Sequence, residues 1–303
     1  MLPLRCPDKD ETRRGGLVFP CTARSVTVVK NREIHPPHPR SPLLNVKLPR
    51  WCVLIPCLNE EAAIAKVVNS VLALGVPVIV VDDGSEDRTA EIVGALPVTL
   101  IRHPQRMGKG QALRDGFREA VKQGYEAVLT MDGDGQHLAA DIPRILAAAR
   151  RYPDHMVIGA RLLDKEHQPK GRRRANAFAD WGISWACAQP VADTQSGQRW
   201  YPRAALELVD LPAQNFVFEA AILIAASREK GMGVVSVPIA SRYQQDMRRS
   251  HFRPIRDVLR ITAYTVGRVL HYGHVIRSYQ LAHGRPPLIL DEPVLDGPVT
   301  VTG

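Results

Sequence analysis

A chain of 303 residues, 45% of them hydrophobic, is long enough for one large domain or two modest ones with a sizeable core. Its five cysteines are scattered without a Cys-x-x-Cys pair, which argues against a disulfide framework or a zinc site, and no apolar run reaches the length of a membrane span. A net charge of +9 points to anionic partners such as a nucleotide or phospholipid headgroups, while nucleic acid is not expected because no RNA- or DNA-binding signature accompanies the charge.

Residues 1–50 hold eight of the 24 prolines and ten Lys/Arg against four Asp/Glu, and read as a disordered basic arm with at most a short strand at Val26–Val29. The start shows no apolar core of the signal-peptide kind, so a reducing, cytoplasmic location is expected. Order begins at Trp51, where Trp51–Ile55 is a continuous apolar run of the kind found in strands buried on both faces. A helix over Ala62–Leu74, closed by Gly75, leads to a second buried strand at Val76–Val81. A helix over Arg88–Ala95 follows, with Ser85 or Asp87 placed to cap it, then a short strand at Val98–Ile101. Gln111–Gln123 reads as helix and Ala127–Met131 as strand. Strand alternating with helix at this spacing predicts right-handed crossovers in a mostly parallel sheet with helices on both faces.

Beyond that point the pattern is looser. A helix over Asp141–Arg151 and a strand at Met156–Ala160 precede a basic loop, Arg161–Arg174, whose Arg172–Arg174 run reads as a solvated face unless acidic headgroups meet it. Ala175–Ala188 is a helix in which Trp181 and Trp185 read as core or membrane-facing packing. The polar turn Asp193–Arg199 leads into Trp200-Tyr201, an apolar helix spans Phe216–Lys230, and Val234–Ile239 is a strand. The single interior acid of that apolar helix, Glu219, is either a base or acceptor contact or one half of an ion pair with an arginine. Val258–Arg277 reads as one terminal helix and residues 280–303 as a Pro-rich tail, so the expected divisions are 1–50, 51–250, 251–279 and 280–303.

Ligands of such sheets sit outside the carboxyl ends of the strands, and three polar motifs fall there: Asn59-Glu60-Glu61, Asp82-Asp83-Gly84-Ser85 and Asp132-Gly-Asp134. Two carboxylates at i and i+2 after a strand can hold one hard divalent cation and leave positions open for phosphates. Alone, Asp132-x-Asp134 reads equally as a solvated turn; three carboxylate-rich turns on one edge of one sheet do not. His137 reads as a surface turn residue, and His251 keeps basic company.

Five motifs in order resemble family 2 glycosyltransferases, in the branch of dolichyl-phosphate mannosyltransferase-like enzymes: Ile55-Pro-Cys-Leu-Asn-Glu-Glu61, Val80-Val-Asp-Asp-Gly-Ser-x-Asp-x-Thr89, Gly108-Lys-Gly110, Met131-Asp-Gly-Asp-Gly-Gln-His137 and Asp193-Thr-Gln-Ser-Gly197. The resemblance covers residues 51–250 and implies a GT-A fold, a UDP- or GDP-sugar donor, Mg2+ or Mn2+, and inversion at the anomeric carbon. It implies that Asp82 and Asp83 bind the donor's base and ribose, with Pro56, Asn59, Glu61 and Ser85 lining the nucleotide pocket. Asp134 would be the main metal ligand, supported by Asp132 and Gln136, and Lys109 would stand near the donor. Ser196-Gly197 and Arg199 would face the acceptor, where Gln198 replaces the family's usual Phe. Arg248 would lie near the donor diphosphate or an acceptor phosphate. The acceptor expected is a polyprenyl phosphate or another lipid-linked or glycan acceptor, reached from the cytoplasmic face of a membrane as a peripheral protein; the rival is a non-catalytic binding protein on the same fold. Leu259, Ile261, Val266, Val269 and Leu270, interleaved with Arg256, Arg260 and Arg268, form either an interfacial helix or one packed on the domain.

Overall fold

Third in a seven-stranded sheet lies β1 (Trp51–Cys57), all seven of whose residues are buried. Its residues alternate between two cores, as the two-residue period of a strand dictates: Trp51, Val53 and Ile55 face one, Cys52 and Leu54 the other. The computed structural model describes residues 48–163, 170–213, 215, 217–240 and 254–291, with the backbone alone at 170, 172 and 254–257. The arm up to residue 47 with Val26–Val29, part of the basic loop, Arg248, Arg249, His251, Arg253 and the chain after 291 lie outside the described residues.

β2 (Val78–Asp82) and β4 (Ala127–Thr130) flank β1 in parallel, and β3 (Thr99–Arg102) pairs with β2. Next to β4 comes β6 (Arg199–Pro202), antiparallel both to β4 and to β5 (His155–Ala160), while β7 (Gly233–Pro238) closes the order β3-β2-β1-β4-β6-β5-β7 in parallel with β5. Among the described residues, then, the sheet is parallel except for β6, as the strand–helix rhythm predicts.

α1 (Ile64–Leu72) and α4 (Ile142–Arg151) pack on the Trp51 face, where Trp51 and Trp200 meet at 5.7 Å between ring centroids. α3 (Lys109–Lys122), α5 (Lys170–Cys187) and α7 (Val217–Glu229) contribute to the Leu54 face, where Phe117 and Tyr201 meet at 5.0 Å. α3 lies so close to β1 that a Cβ on Gly116 would stand 2.3 Å from a Leu54 methyl. α2 (Thr89–Gly94) is short, and Asp87 rather than Ser85 caps it, accepting the Thr89 amide at 3.0 Å. A single turn, α6 (Arg203–Leu206), follows β6.

Three expectations change at the C-terminal half. α5 starts at Lys170, not Ala175, because its first turns are basic and carry no apolar period to read. The single terminal helix is two, α8 (Pro254–Tyr272) and α9 (Val275–His283), broken where Gly273 and His274 both take left-handed φ values of +65° and +51°. The tail is not all free: the Ser236 amide donates to the Leu288 carbonyl and the Leu290 amide to the Ser236 carbonyl, both at 2.9 Å, so this segment covers the outer edge of β7. Among the described residues no helix is long and apolar enough to cross a membrane.

Candidate active site

The turns after β1 and β2 are tied to each other. Asn59 takes a left-handed φ of +56°, which its short amide side chain tolerates. Its amide N–H donates to Ser85 Oγ and its Oδ1 accepts from the Glu86 amide, both at 2.8 Å. The Glu60 amide donates to Thr89 Oγ1 at 2.7 Å, and Glu61 Oε2 accepts from the Arg88 amide at 3.1 Å. Asp82 is fully buried, with Oδ1 accepting from both the amide and the hydroxyl of Ser85, and with Arg102 3.4 Å from Oδ2. Pro56 is likewise buried, inside β1.

Asp83 is only 3% exposed, and both of its oxygens are engaged. Oδ1 takes His103 Nδ1 and the Met107 amide at 2.8 Å, and Oδ2 takes the Gly108 amide at 2.7 Å. In this structure the two carboxylates hold turns, Asp82 that of Ser85 and Asp83 the loop that ends at Lys109. In Asp83→Ala the buried Gly108 amide loses its acceptor, at about 1–3 kcal/mol. Expected are a lower melting temperature and weaker binding of free nucleotide in EDTA, by calorimetry. A loss confined to metal-dependent binding would put Asp83 in the metal group instead.

Lys109, at the start of α3, brings three elements together. Its Nζ lies 2.7 Å from Asp132 Oδ1, just past β4, and 3.2 Å from Glu219 Oε2 in the first turn of α7. Glu219 therefore has an ion-pair partner, a lysine rather than the expected arginine. Burial pushes the Lys109 ammonium down, but the two carboxylates outweigh it and hold it above its ordinary value. Burial likewise pushes Asp132 up, while the Lys109 charge and His137 hold its carboxyl well below the usual range. His137 is buried, contrary to the surface position expected, with Nε2 3.6 Å from Asp132 Oδ2. Asp134 moves the other way, raised by burial and by the negative charge of Asp132; its Oδ1 accepts from the Gln136 amide at 2.9 Å. Two carboxylates whose charges oppose each other are a hard-oxygen donor set that suits Mg2+ or Mn2+. Among the described residues no group of three or more His, Cys, Asp and Glu converges in metal-binding geometry.

The turn after α5 closes the site from the other side. A Cβ on Gly197 would lie 2.2 Å from Asp132 Oδ2, so only glycine lets this turn rest on that carboxylate. Thr130 Oγ1 donates to the Gly197 carbonyl at 2.7 Å. Upstream, Asp193 binds Arg161 through both oxygens at 2.7 Å and 2.8 Å, and Asp180 Oδ1 accepts from the amide and hydroxyl of Thr194 at 2.7 Å. Burial raises the Asp180 carboxyl, whereas Arg161 overcomes burial and lowers that of Asp193. Arg161 and Asp180 were not anticipated, although Asp180 is the lone acid of its helix, the same signal that singled out Glu219.

Arg199 lies under the same turn. It is 1% exposed and donates to the carbonyls of Ser196 and Thr194 at 2.6 Å and of Glu219 at 3.1 Å, so it braces the turn from within. Gln198 is fully buried and donates to the Leu138 carbonyl at 3.2 Å, which places this departure from the family pattern in the interior.

The model of glycosyl transferase family 2 matches residues 52–208. The UDP-N-acetylglucosamine–dolichyl-phosphate N-acetylglucosaminyltransferase of Methanococcus voltae is 28% identical over 216 residues, 64% of this chain and 86% of that one. The polyprenol monophosphomannose synthase of Mycolicibacterium smegmatis is 29% identical over 204 residues, 63% of this chain and 76% of that one. Among solved structures, glucosyl-3-phosphoglycerate synthase from Mycobacterium tuberculosis, in complex with Mn2+, UDP and phosphoglyceric acid, superimposes with a TM-score of 0.55 at 21% identity, covering 74% of this chain and 78% of that one. The fold is the GT-A fold that the motifs imply.

Proposed function

Because the chain belongs to glycosyl transferase family 2, we propose that it transfers a hexosyl unit with inversion from a UDP- or GDP-sugar to a polyprenyl phosphate at a membrane surface. The observation that carries this reading is the meeting of Lys109, Asp132 and Glu219 beside Asp134 at the carboxyl edge of the sheet. The acceptor class is supported by the relatives, which are named for dolichyl-phosphate and polyprenol substrates.

Asp134 and Asp132 would hold Mg2+ or Mn2+, whose positive charge, when bound, lowers the energy of the departing diphosphate. Lys109, held between Asp132 and Glu219, offers a second positive charge on the same side. The bond from the anomeric carbon to the diphosphate oxygen breaks, and an acceptor phosphate oxygen bonds that carbon from the opposite face. That oxygen is already anionic, so no strong base is needed and Glu219 is left to orient Lys109. The test is a donor screen with UDP-, GDP- and dTDP-sugars, Mn2+ or Mg2+, with and without polyprenyl phosphate. Acceptor-dependent release of nucleoside diphosphate is expected; no release from any donor would refute the proposal.

Membrane docking is supported by α8 and α9. Ile261 and Val269 pack into the core, while Leu259, Leu270 and Ile276 are 63%, 66% and 74% exposed beside the exposed Arg260 and Arg277. One side of α8 is thus packed on the domain, and the exposed apolar side chains of α8 and α9 support the interfacial reading. Co-sedimentation with vesicles should rise with anionic lipid and fall in the double variant Arg260→Gln/Arg277→Gln, at about 1 kcal/mol per arginine. Protein that stays in the supernatant at low salt would point to a soluble acceptor.

A further inference from the structure

Lys109 is placed by the two glycines beside it. The Gly108 amide donates to Asp83 Oδ2 at 2.7 Å, and the Gly108 carbonyl accepts from the Gln111 and Ala112 amides at 2.9 Å and 3.1 Å. Asn215 Oδ1 occupies the space that a Cβ on Gly108 would need. On the far side of the lysine, a Cβ on Gly110 would stand 2.7 Å from the Asn215 carbonyl oxygen, 2.8 Å from its nitrogen and 2.9 Å from Phe218 Cβ. Asn215 thus rests on both neighbours of Lys109, its side chain on one and its main chain on the other.

Asn215 is itself fixed. It takes a left-handed φ of +52°, which asparagine tolerates better than most residues. Its carbonyl accepts from the Phe218 amide at 3.2 Å, at the start of the helix that carries Glu219. The chain leading to it is tied to α3: Arg114 donates to the carbonyls of Val209, Leu211 and Ala213 at 2.9, 2.8 and 2.8 Å, and its guanidinium lies 4.7 Å over the Phe218 ring. The second turn of α3 therefore holds the loop, and the start of α3 receives Asn215.

A lysine ammonium sits on a flexible four-carbon stem, so its position follows the backbone beneath it. Pairing with Asp132 and Glu219 at once, at 2.7 Å and 3.2 Å, leaves that backbone little room to move. We propose that Asn215 is a positioning residue, seated on Gly108 and Gly110 so that Lys109 meets both carboxylates together. The consequence for turnover rests on the transfer reading above; the placement of the ammonium does not.

The experiment compares Gly110→Ala and Asn215→Gly in the full-length protein, each alone and combined with Lys109→Met. The alanine methyl meets main-chain atoms that cannot rotate away, and an ordinary contact is roughly 3.5 Å, so α3 and Asn215 must part by about 0.7 Å. Glycine accepts the left-handed φ, so Asn215→Gly removes Oδ1 without straining the turn and keeps the question open to measurement if Gly110→Ala does not fold. A misplacement of 1 Å costs about 100-fold in rate, so kcat for release of nucleoside diphosphate should fall by about that factor in Gly110→Ala and about tenfold in Asn215→Gly, with the donor KM held within about threefold. In the Lys109→Met background each change should cost less than about threefold, because the group it places is gone. Melting temperature gives a second reading that needs no turnover: each double variant should lose less than the sum of its single losses. Melting losses that add, fold-changes in kcat that persist undiminished in Lys109→Met, or folded single variants with wild-type kcat would overturn the inference. Melting losses short of the sum, in a wild-type protein that releases no nucleoside diphosphate from any donor, would refute the transfer reading and leave Asn215 as the residue that places Lys109.

Discussion

Asp134→Ala should abolish metal-dependent binding of the nucleotide-sugar while leaving the protein folded. The Asp134 carboxylate makes one local hydrogen bond, to the Gln136 amide, so its removal costs the fold about 1 kcal/mol. It also relieves a carboxyl that burial and Asp132 both disfavour in its charged form. What remains is Asp132, whose Oδ1 is engaged by Lys109 at 2.7 Å and which alone is a poor site for a hard dication. Loss of an outer partner of a metal ligand typically weakens binding by about 10–100-fold, so loss of the ligand itself should exceed 100-fold. Calorimetry with donor and Mn2+ measures this, and binding of free nucleotide in EDTA provides the control. An unchanged affinity for donor with Mn2+ in a folded mutant would remove Asp134 as a ligand.

Lys109→Met should be the most destabilising change at the site. The ammonium is one-fifth exposed and lies between Asp132 and Glu219, which are themselves mostly covered. Removing one partner of a buried pair typically costs about 3–5 kcal/mol, because the charge left behind has lost both water and its counter-ion. The lower end, about 3 kcal/mol, applies to a group with some access to water, which corresponds to a fall in melting temperature of roughly 6–12 °C for a domain of this size. Glu219→Gln in the same background removes one of the stranded charges, so the double variant should lose less than the sum of the two single ones. Added Mn2+ should raise the melting temperature of Lys109→Met more than that of the wild type, because a dication replaces the missing positive charge. Equal melting temperatures for wild type and Lys109→Met would show that the pair is held too loosely to matter.

The first half of the fold was legible because its strands are buried on both faces. Trp51–Ile55 and Val76–Val81 read as continuous apolar runs, and a short run with no polar side to turn to water fits a strand covered by helices above and below. The charged start of α5 left no pattern to follow, and the apolar period of α8 runs on past Gly273, so the break had only that glycine to mark it. At the site, residue types and their places in the elements were readable, Asp132 after a strand and Lys109 and Glu219 at or near the starts of helices. Direction was not. A carboxylate after a strand looks the same in sequence whether it faces a ligand, as expected of Asp83, or turns inward onto the amides of Met107 and Gly108. The bracing by Arg199 was hidden for the same reason: its carbonyl partners on Thr194, Ser196 and Glu219 are main-chain groups, to which any sequence contributes equally.

The turns after β1 and β2 are stitched together by their own hydrogen bonds through Asn59, Ser85, Glu61 and Thr89. A turn left loose would have to settle into one conformation when substrate binds, and ordering a residue's backbone costs about 1–2 kcal/mol in entropy. Here several residues are already settled, so a ligand bound at these turns would meet a preorganised rim and more of its contact energy would appear as affinity. The disorder of those two turns is lost once, when the chain folds, and is not lost again at each turnover.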